Sequence, residues 1–195
     1  MAARPGPVPL HDHAIDNLRF IRATMERSAS FTAVPGTGGI FMGLTGLFAA
    51  MAAMNYPELF LPIWMLAAVV ATAIGLTTTI QKARATKVAL DSGPARKFAL
   101  SFGPPILVGA VLTLALFRTG ATDLLPGTWL CLYGTAVIAG GAFSVRVVPL
   151  MGIGFVLAGV GALFTPAGWG NTWLAIGFGA GHIVFGSIIS RRYGG

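Results

Sequence analysis

Six uncharged, apolar runs separated by short polar segments dominate the pattern of the chain. Each run has about the length that a helix needs to cross the hydrocarbon core of a bilayer. The pattern therefore predicts an all-α integral membrane protein, a six-helix bundle. Its spans are expected at about 37–54, 62–81, 99–117, 127–145, 149–164 and 171–190.

Three of these runs begin near a tryptophan and end at a basic residue, at spacings of 18, 17 and 18 residues. At a rise of 1.5 Å per residue, that spacing covers about 26–27 Å, close to the hydrocarbon thickness of a bilayer. Indoles favour a membrane interface, and cations favour the headgroup region, so each run is predicted to be anchored at both ends. The predicted interface anchors are Trp64, Trp129, Trp173, Lys82, Arg146, Arg191 and Arg192.

Residues 1–33 differ from the rest of the chain and are predicted to form a separate cytoplasmic region, before a membrane domain at 34–195. The first ten residues contain three prolines and indicate an extended arm. Between residues 12 and 30, apolar residues recur at i, i+4, i+7 and i+11, which predicts an amphipathic helix too charged to span a membrane. Its apolar stripe consists of Ala14, Leu18, Ile21 and Met25.

The membrane domain also shows a pattern that is typical of an internal repeat. The first, third and fifth spans each have a proline near their start, at Pro35, Pro104-Pro105 and Pro149, and each has Leu-Phe in its second half, at 47–48, 116–117 and 163–164. This pattern suggests three helical hairpins, all entering from the cytoplasm and therefore related as parallel repeats. The alternative is that any hairpin crossing from the inside and back acquires proline and tryptophan at these places.

The composition supports the membrane assignment and limits the redox chemistry. Only 10% of the residues are charged, 55% are hydrophobic and 27 are glycine, so a soluble domain of this length could not bury the apolar surface. Abundant glycine is typical of helices that approach closely in lipid. The single cysteine, Cys131, excludes an internal disulfide framework and is expected to pack.

The net charge of +7 is best explained by membrane topology. Twelve of the thirteen basic residues fall on one side of the six predicted spans, and only Arg118 falls on the other. Because cytoplasmic loops carry the excess of Lys and Arg, both termini are expected in the cytoplasm. The charge then indicates contact with anionic lipid, and nucleic-acid binding is not expected. No cleavable signal is evident, so the first span is expected to direct insertion.

Two resemblances bear on the family. Residues 10–39 read LHDHAIDNLRFIRATMERSASFTAVPGTGG. This stretch resembles the opening of a family of small, uncharacterised bacterial multi-pass proteins, and the resemblance continues through GPARKFALSF at 93–102 to the RRYGG end. It implies a location in the bacterial inner membrane but brings no activity. The hairpin pattern is also similar to HdeD-like membrane proteins, in hydropathy and glycine spacing.

No catalytic residue is predicted, and the sequence favours a protein that is not an enzyme. No metalloprotease, nucleophile-elbow or EF-hand motif occurs, and no motif implies a cofactor. A carboxylate inside a span would suggest proton or ion coupling, but all six acids lie outside the predicted spans. They are Asp12, Asp16, Glu26, Glu58, Asp91 and Asp123.

His182 is the one ionisable side chain well inside a predicted span. At 100° per residue, it shares a helix face with small and polar residues, so that face is expected to point into the bundle. A polar residue in that position is a candidate functional site, and the alternative is a neutral histidine bonded to a neighbouring helix. The ligand or cavity candidates are His182, Asn171, Phe178, Gly179 and Gly186.

His11 and His13 flank Asp12 at the start of the amphipathic segment. Side chains at i and i+2 diverge on a helix, so a metal site using these histidines, with or without His182, is only a weak hypothesis and no metal is predicted. A solvated helix cap is favoured, with Asp12 accepting the first backbone N–H groups.

Three functions are compatible with this pattern. The leading hypothesis is a non-catalytic membrane subunit, or a regulatory or scaffolding partner, that docks a protein through residues 12–30 or 81–97. The alternative is a small-solute or lipid transporter or channel with a central cavity near His182. A second alternative is a haem- or pigment-associated membrane subunit.

The predicted topology can be tested by scanning single cysteines with an impermeant thiol reagent, in a background where Cys131 is replaced by alanine. We expect a cysteine at position 122 to react from outside the cell, because it lies in a loop opposite the basic side. Cysteines at positions 88 and 194 should react only after the membrane is opened. Labelling of either from outside, or none at 122, contradicts six spans with cytoplasmic termini.

Overall fold

The computed structural model describes residues 15–21, 25 and 30–194, and the chain divides into two units, Met1–Ser30 and Phe31–Gly195. In the first unit, residues 15–21 and 25 are helical, and the Arg19 guanidinium pairs with the Asp16 carboxylate at 3.4 Å. The amphipathic helix over 12–30 stays a prediction in its full extent. The proline-rich arm, His11 and His13 lie outside the described residues.

The second unit is an all-α bundle of six helices, each long and apolar enough to cross a membrane. Its predicted fold class is confirmed. The helices are α1 (Gly36–Asn55), α2 (Phe60–Ala85), α3 (Gly93–Thr119), α4 (Leu125–Gly141), α5 (Val147–Phe164) and α6. The last consists of Gly170–Leu174, a π-helical part at Ala175–Gly181, and His182–Tyr193.

The predicted spans agree with these helices apart from their ends. Residues 82–98 are polar in character and are predicted to lie between two spans. In the structure, α2 continues to Ala85, and α3 begins at Gly93, where the Ser92 side chain caps the helix. Pro104 and Pro105 therefore lie inside α3 and do not mark its start. The fourth helix ends at Gly141, four residues before its predicted end at 145. The hairpin repeat remains a prediction.

Four helices, α1, α4, α5 and α6, form the packed centre of the bundle. The other two are peripheral, because α2 packs along α1 and α3 packs along α4. We call the end of the bundle that contains Lys82, Arg146 and Arg191 the basic end, and the end with the three tryptophans the tryptophan end.

Glycines bring α4 and α5 into direct backbone contact. A Cβ added at Gly134 would lie 2.7 Å from the Gly152 carbonyl oxygen, and one at Gly152 would lie 2.7 Å from that of Gly134. Seven residues away on each helix, Gly127 and Gly159 make the same reciprocal approach, at 2.9 and 3.0 Å. Small residues at such a spacing let two membrane helices pack closely along their length.

The junction of α1 and α6 is built in the same way. A Cβ at Gly43 would lie 2.6 Å from the Gly179 carbonyl oxygen, and one at Gly186 would lie 2.7 Å from that of Gly36. Here too the glycines of each helix are seven residues apart. Two glycine-lined junctions thus pair the four central helices, α4 with α5 and α1 with α6.

An extended segment, Phe31 to Val34, crosses the basic end of the bundle, and we call it the strap. The Phe31 backbone N–H donates to the Phe143 carbonyl at 2.6 Å, and the Ser144 hydroxyl donates to the Phe31 carbonyl at 2.6 Å. Phe31 and Ala33 are buried in a small cluster with Ala83 of α2 and Ala95 of α3. The strap therefore joins α2, α3 and the α4–α5 turn.

The glycine junctions generate a stability prediction. Gly134→Ala should destabilise the fold by about 1–3 kcal/mol, because the new methyl group overlaps the backbone of α5. Gly109→Ala on α3 is the matched control, since its Cβ would meet Leu132 at an ordinary 3.7 Å. That control should be neutral or stabilising by up to about 1 kcal/mol. Thermal unfolding in detergent measures both variants, and equal losses would contradict the proposed backbone contact.

Candidate functional site

His182 follows the π-helical part of α6 directly, and its side chain is buried with 4% of its surface exposed. The π-helical turn disturbs the usual backbone pairing, and the His182 N–H donates to Gly179. The Phe178 carbonyl accepts instead from the imidazole Nδ1 of His182, at 3.0 Å. The side chain thus replaces the backbone donor that a regular α-helix would supply at this position.

Tyr133 of α4 satisfies the other ring nitrogen, with 2.8 Å between its hydroxyl and the His182 Nε2. A carbonyl can only accept, so the bond to Phe178 requires the hydrogen on Nδ1. In the neutral ring, Nε2 is then the acceptor, and the Tyr133 hydroxyl is the donor. Both nitrogens are used, which fixes the tautomer and ties α6 to α4.

Aromatic rings enclose this pair. The centroid of the imidazole lies 4.9 Å from that of Phe155, 5.3 Å from that of Tyr133 and 6.2 Å from that of Phe178. An apolar groove of about 130 Å³ between α5 and α6 is lined in part by Phe155, and His182 is not among its lining residues. The Phe155 ring thus contacts both the groove and the imidazole.

The structure separates most of the predicted cavity residues from His182. Asn171 accepts a hydrogen bond from the Trp64 indole at 3.0 Å and donates to the Ala50 carbonyl at 2.7 Å. Gly179 and Gly186 face α1 in the glycine junction. Of these four residues, only Phe178 contacts the His182 imidazole. Asn171 lies eleven residues before His182, about three helical turns away. The π-helical turn also rotates it from the face that a regular helix predicts.

The three predicted tryptophan anchors each donate a hydrogen bond to a side-chain oxygen. Besides the Trp64 bond, the Trp129 indole donates to Thr113 of α3 at 2.8 Å, and the Trp173 indole donates to Thr165 at 2.9 Å. Trp64 is buried, and the other two are half-buried. These indoles fasten helices to one another, a role for which the spacing in the sequence contained no signal.

The predicted cation anchors divide into two kinds. Lys82 is buried, with 6% of its surface exposed, and its ammonium group donates to the carbonyls of Val34 at 3.0 Å and Gly194 at 2.5 Å. It joins α2 to the strap and to the end of α6. The remaining anchors, Arg146, Arg191 and Arg192, are exposed, and their role at the interface stays a prediction.

The described residues contain no group of three histidine, cysteine or carboxylate side chains placed to hold a metal. The weak hypothesis of a site with His11 and His13 falls on residues outside that range. Within the same range, every buried side-chain nitrogen and oxygen has a hydrogen-bond partner.

Comparisons of the chain with protein-family models, curated proteins and solved structures find no match. The helices and the site themselves define the class of protein. It is a polytopic helical membrane protein with a hydrogen-bonded histidine–tyrosine pair in its packed centre. The family resemblance stays an expectation.

The histidine–tyrosine pair predicts a coupled loss of stability. His182→Leu should leave the Tyr133 hydroxyl without an acceptor, and Tyr133→Phe should leave Nε2 without a donor, each costing about 1–3 kcal/mol. The double variant should lose less than the sum, by about 0.6 kcal/mol or more, because it removes both partners. Thermal unfolding in detergent measures this difference.

His182→Gln is the matched control, since glutamine keeps one donor and one acceptor and should retain most of the stability. Additive losses would contradict the bond. A functional histidine would give another pattern, in which both His182 variants lose a pH response or ligand binding while the thermal midpoint barely moves.

Proposed function

We propose that this protein is a non-catalytic membrane subunit, or a regulatory or scaffolding partner, that works through its cytoplasmic surfaces. The observation that carries the proposal is the packing around His182. Both ring nitrogens are hydrogen-bonded, and three aromatic rings occupy the space where a transport cavity would lie.

The transporter and haem hypotheses both need His182 to be available. A conducting cavity needs water or substrate at the imidazole, but His182 is buried among three aromatic rings and does not line the nearby groove. An axial haem ligand would need a free ring nitrogen, but Tyr133 and Phe178 occupy both. These contacts favour a structural role for His182. We therefore look for the functional residues on the surface of the protein.

Two segments suit docking, and we place both on the cytoplasmic side of a bacterial inner membrane. The amphipathic segment exposes apolar side chains from its predicted stripe, with Leu18 66% and Ile21 50% exposed. The second surface is the basic loop at 81–97. A segment with exposed apolar residues and opposite charges is typical of helices that dock on a partner or on the membrane surface.

The proposal predicts that the apolar stripe captures a protein partner. Cross-linking in native membranes followed by mass spectrometry should identify a partner for the wild-type chain, and Leu18→Gln with Ile21→Gln should abolish the cross-link. The control exchanges the ion pair, Asp16→Arg with Arg19→Asp, and should keep the partner because the stripe is unchanged. All variants should retain their thermal midpoints, since the changes lie outside the six helices.

The competing outcome is equally specific. If no partner is found and vesicles with the purified protein show solute flux that His182→Gln abolishes, the protein is a transporter and the subunit proposal is wrong.

A further inference from the structure

The predicted hairpins are α1–α2, α3–α4 and α5–α6, so neighbouring hairpins would meet at α2–α3, α4–α5 and α6–α1. The α2–α3 junction differs from the other two. The α4–α5 and α1–α6 pairs are joined through close contacts at glycine, which are reciprocal between α4 and α5. In contrast, α2 and α3 follow one another in the chain but do not pack along their length. Both expose broad apolar faces to the bilayer, including Leu66 and Val69 on α2 and Leu107 and Val111 on α3.

Shared neighbours bound this gap at both ends. At the basic end, Ala83 of α2 and Ala95 of α3 pack in the same cluster with the strap. At the tryptophan end, the Trp129 ring stacks on Phe60 of α2 with 6.0 Å between centroids, and its indole N–H bonds Thr113 of α3. The gap is therefore a feature of the fold, open to lipid between two fixed ends.

Free cations gather where the gap reaches the basic end. Among the described residues, no side-chain hydrogen bond or ion pair involves Arg84, Lys87 or Arg96, and all three are exposed. Asp91 is the one carboxylate between residues 82 and 97. Lys82 differs from them, because the carbonyls of Val34 and Gly194 occupy its ammonium group.

The first turn of α3 adds to this positive potential. It contains Arg96 and Lys97 close to its start and no acidic residue. Helix N-termini carry a partial positive charge and usually favour acidic residues in the first turn. Cations at this position increase the local positive charge, which an external anion can neutralise.

Lys87 occupies a backbone conformation that favours glycine. Helix α2 ends in a Schellman motif, in which the Val88 N–H bonds the Ala83 carbonyl at 2.9 Å and the Lys87 N–H bonds that of Arg84 at 3.3 Å. The residue at the left-handed position is Lys87, with φ of 55°. A glycine there would be less strained, so the lysine adds a cation to the loop at the expense of stability.

We propose that the gap between α2 and α3 binds one anionic phospholipid of the leaflet at the basic end. Its acyl chains lie against the exposed apolar faces of both helices, and its phosphate is bound by Arg84, Lys87 and Arg96. Charge complementarity selects this occupant, because an apolar gap at membrane depth ends at three unpaired cations. The binding needs no protein partner and is independent of the subunit function proposed above.

The test uses the purified full chain in detergent and native mass spectrometry with added phosphatidylglycerol or phosphatidylcholine. The wild type should retain one phosphatidylglycerol in preference to phosphatidylcholine. The triple variant Arg84→Gln, Lys87→Gln, Arg96→Gln should reduce that preference by about tenfold or more. The matched control removes three other cations from the basic end, Arg146→Gln, Arg191→Gln and Arg192→Gln, and should keep the preference.

Lys87→Gly separates lipid binding from folding, because the two effects have opposite signs. This variant should raise the thermal midpoint of the lipid-free protein, since glycine relieves the left-handed strain. It should also weaken the phosphatidylglycerol preference, since one cation is lost. If the triple variant folds poorly, Lys87→Gly still tests lipid binding in a stable protein.

Three outcomes would overturn the proposal. Equal retention of both lipids by the wild type means that the gap has no headgroup preference. Equal losses in the two triple variants mean a diffuse attraction to the whole basic end. Stabilisation by inorganic phosphate alone, to the extent given by the lipid, means that the cations bind a free anion and the gap has no part in it.

Discussion

Direct backbone contact at glycine is the constraint on which the bundle depends. Lipid tails are as apolar as leucine, so association of helices in a bilayer draws little on the hydrophobic effect and relies on close packing and hydrogen bonds. At the α4–α5 junction, Gly134 and Gly152 leave no room for a β-carbon, and Gly43 and Gly186 repeat this at the α1–α6 junction. The central helices approach one another only because these side chains are missing.

Side-chain hydrogen bonds between helices add to the glycine contacts. The His182–Tyr133 bond joins α6 to α4, the Asn171 amide joins α6 to α1 and α2, and Lys82 joins α2 to the strap. In a bilayer, an unpaired polar group has no water to bind, so each of these residues must find a protein partner. The polar residues within the helices thus join one helix to another. This accounts for a histidine that is hydrogen-bonded at both ring nitrogens in the packed centre.

The contacts at the basic end centre on the strap. It is hydrogen-bonded to the α4–α5 turn and packs against the ends of α2 and α3. The two peripheral helices meet the same residues at their ends and separate between them. The basic loop and the strap lie at the basic end, where one end of the gap between α2 and α3 is found.

The six helices could be predicted from the sequence because apolar runs of bilayer length have few other stable structures in lipid. What the sequence could not decide was the inward face of each helix, since spans that are apolar on all sides carry no stripe to mark it. The partner of Trp64 lies 107 residues away and those of Lys82 lie 48 and 112 residues away, so no local spacing reveals them. Likewise, the π-helical turn before His182 moved Asn171 off the expected face, and only the packing of α6 against α1, α4 and α5 determined which residues meet.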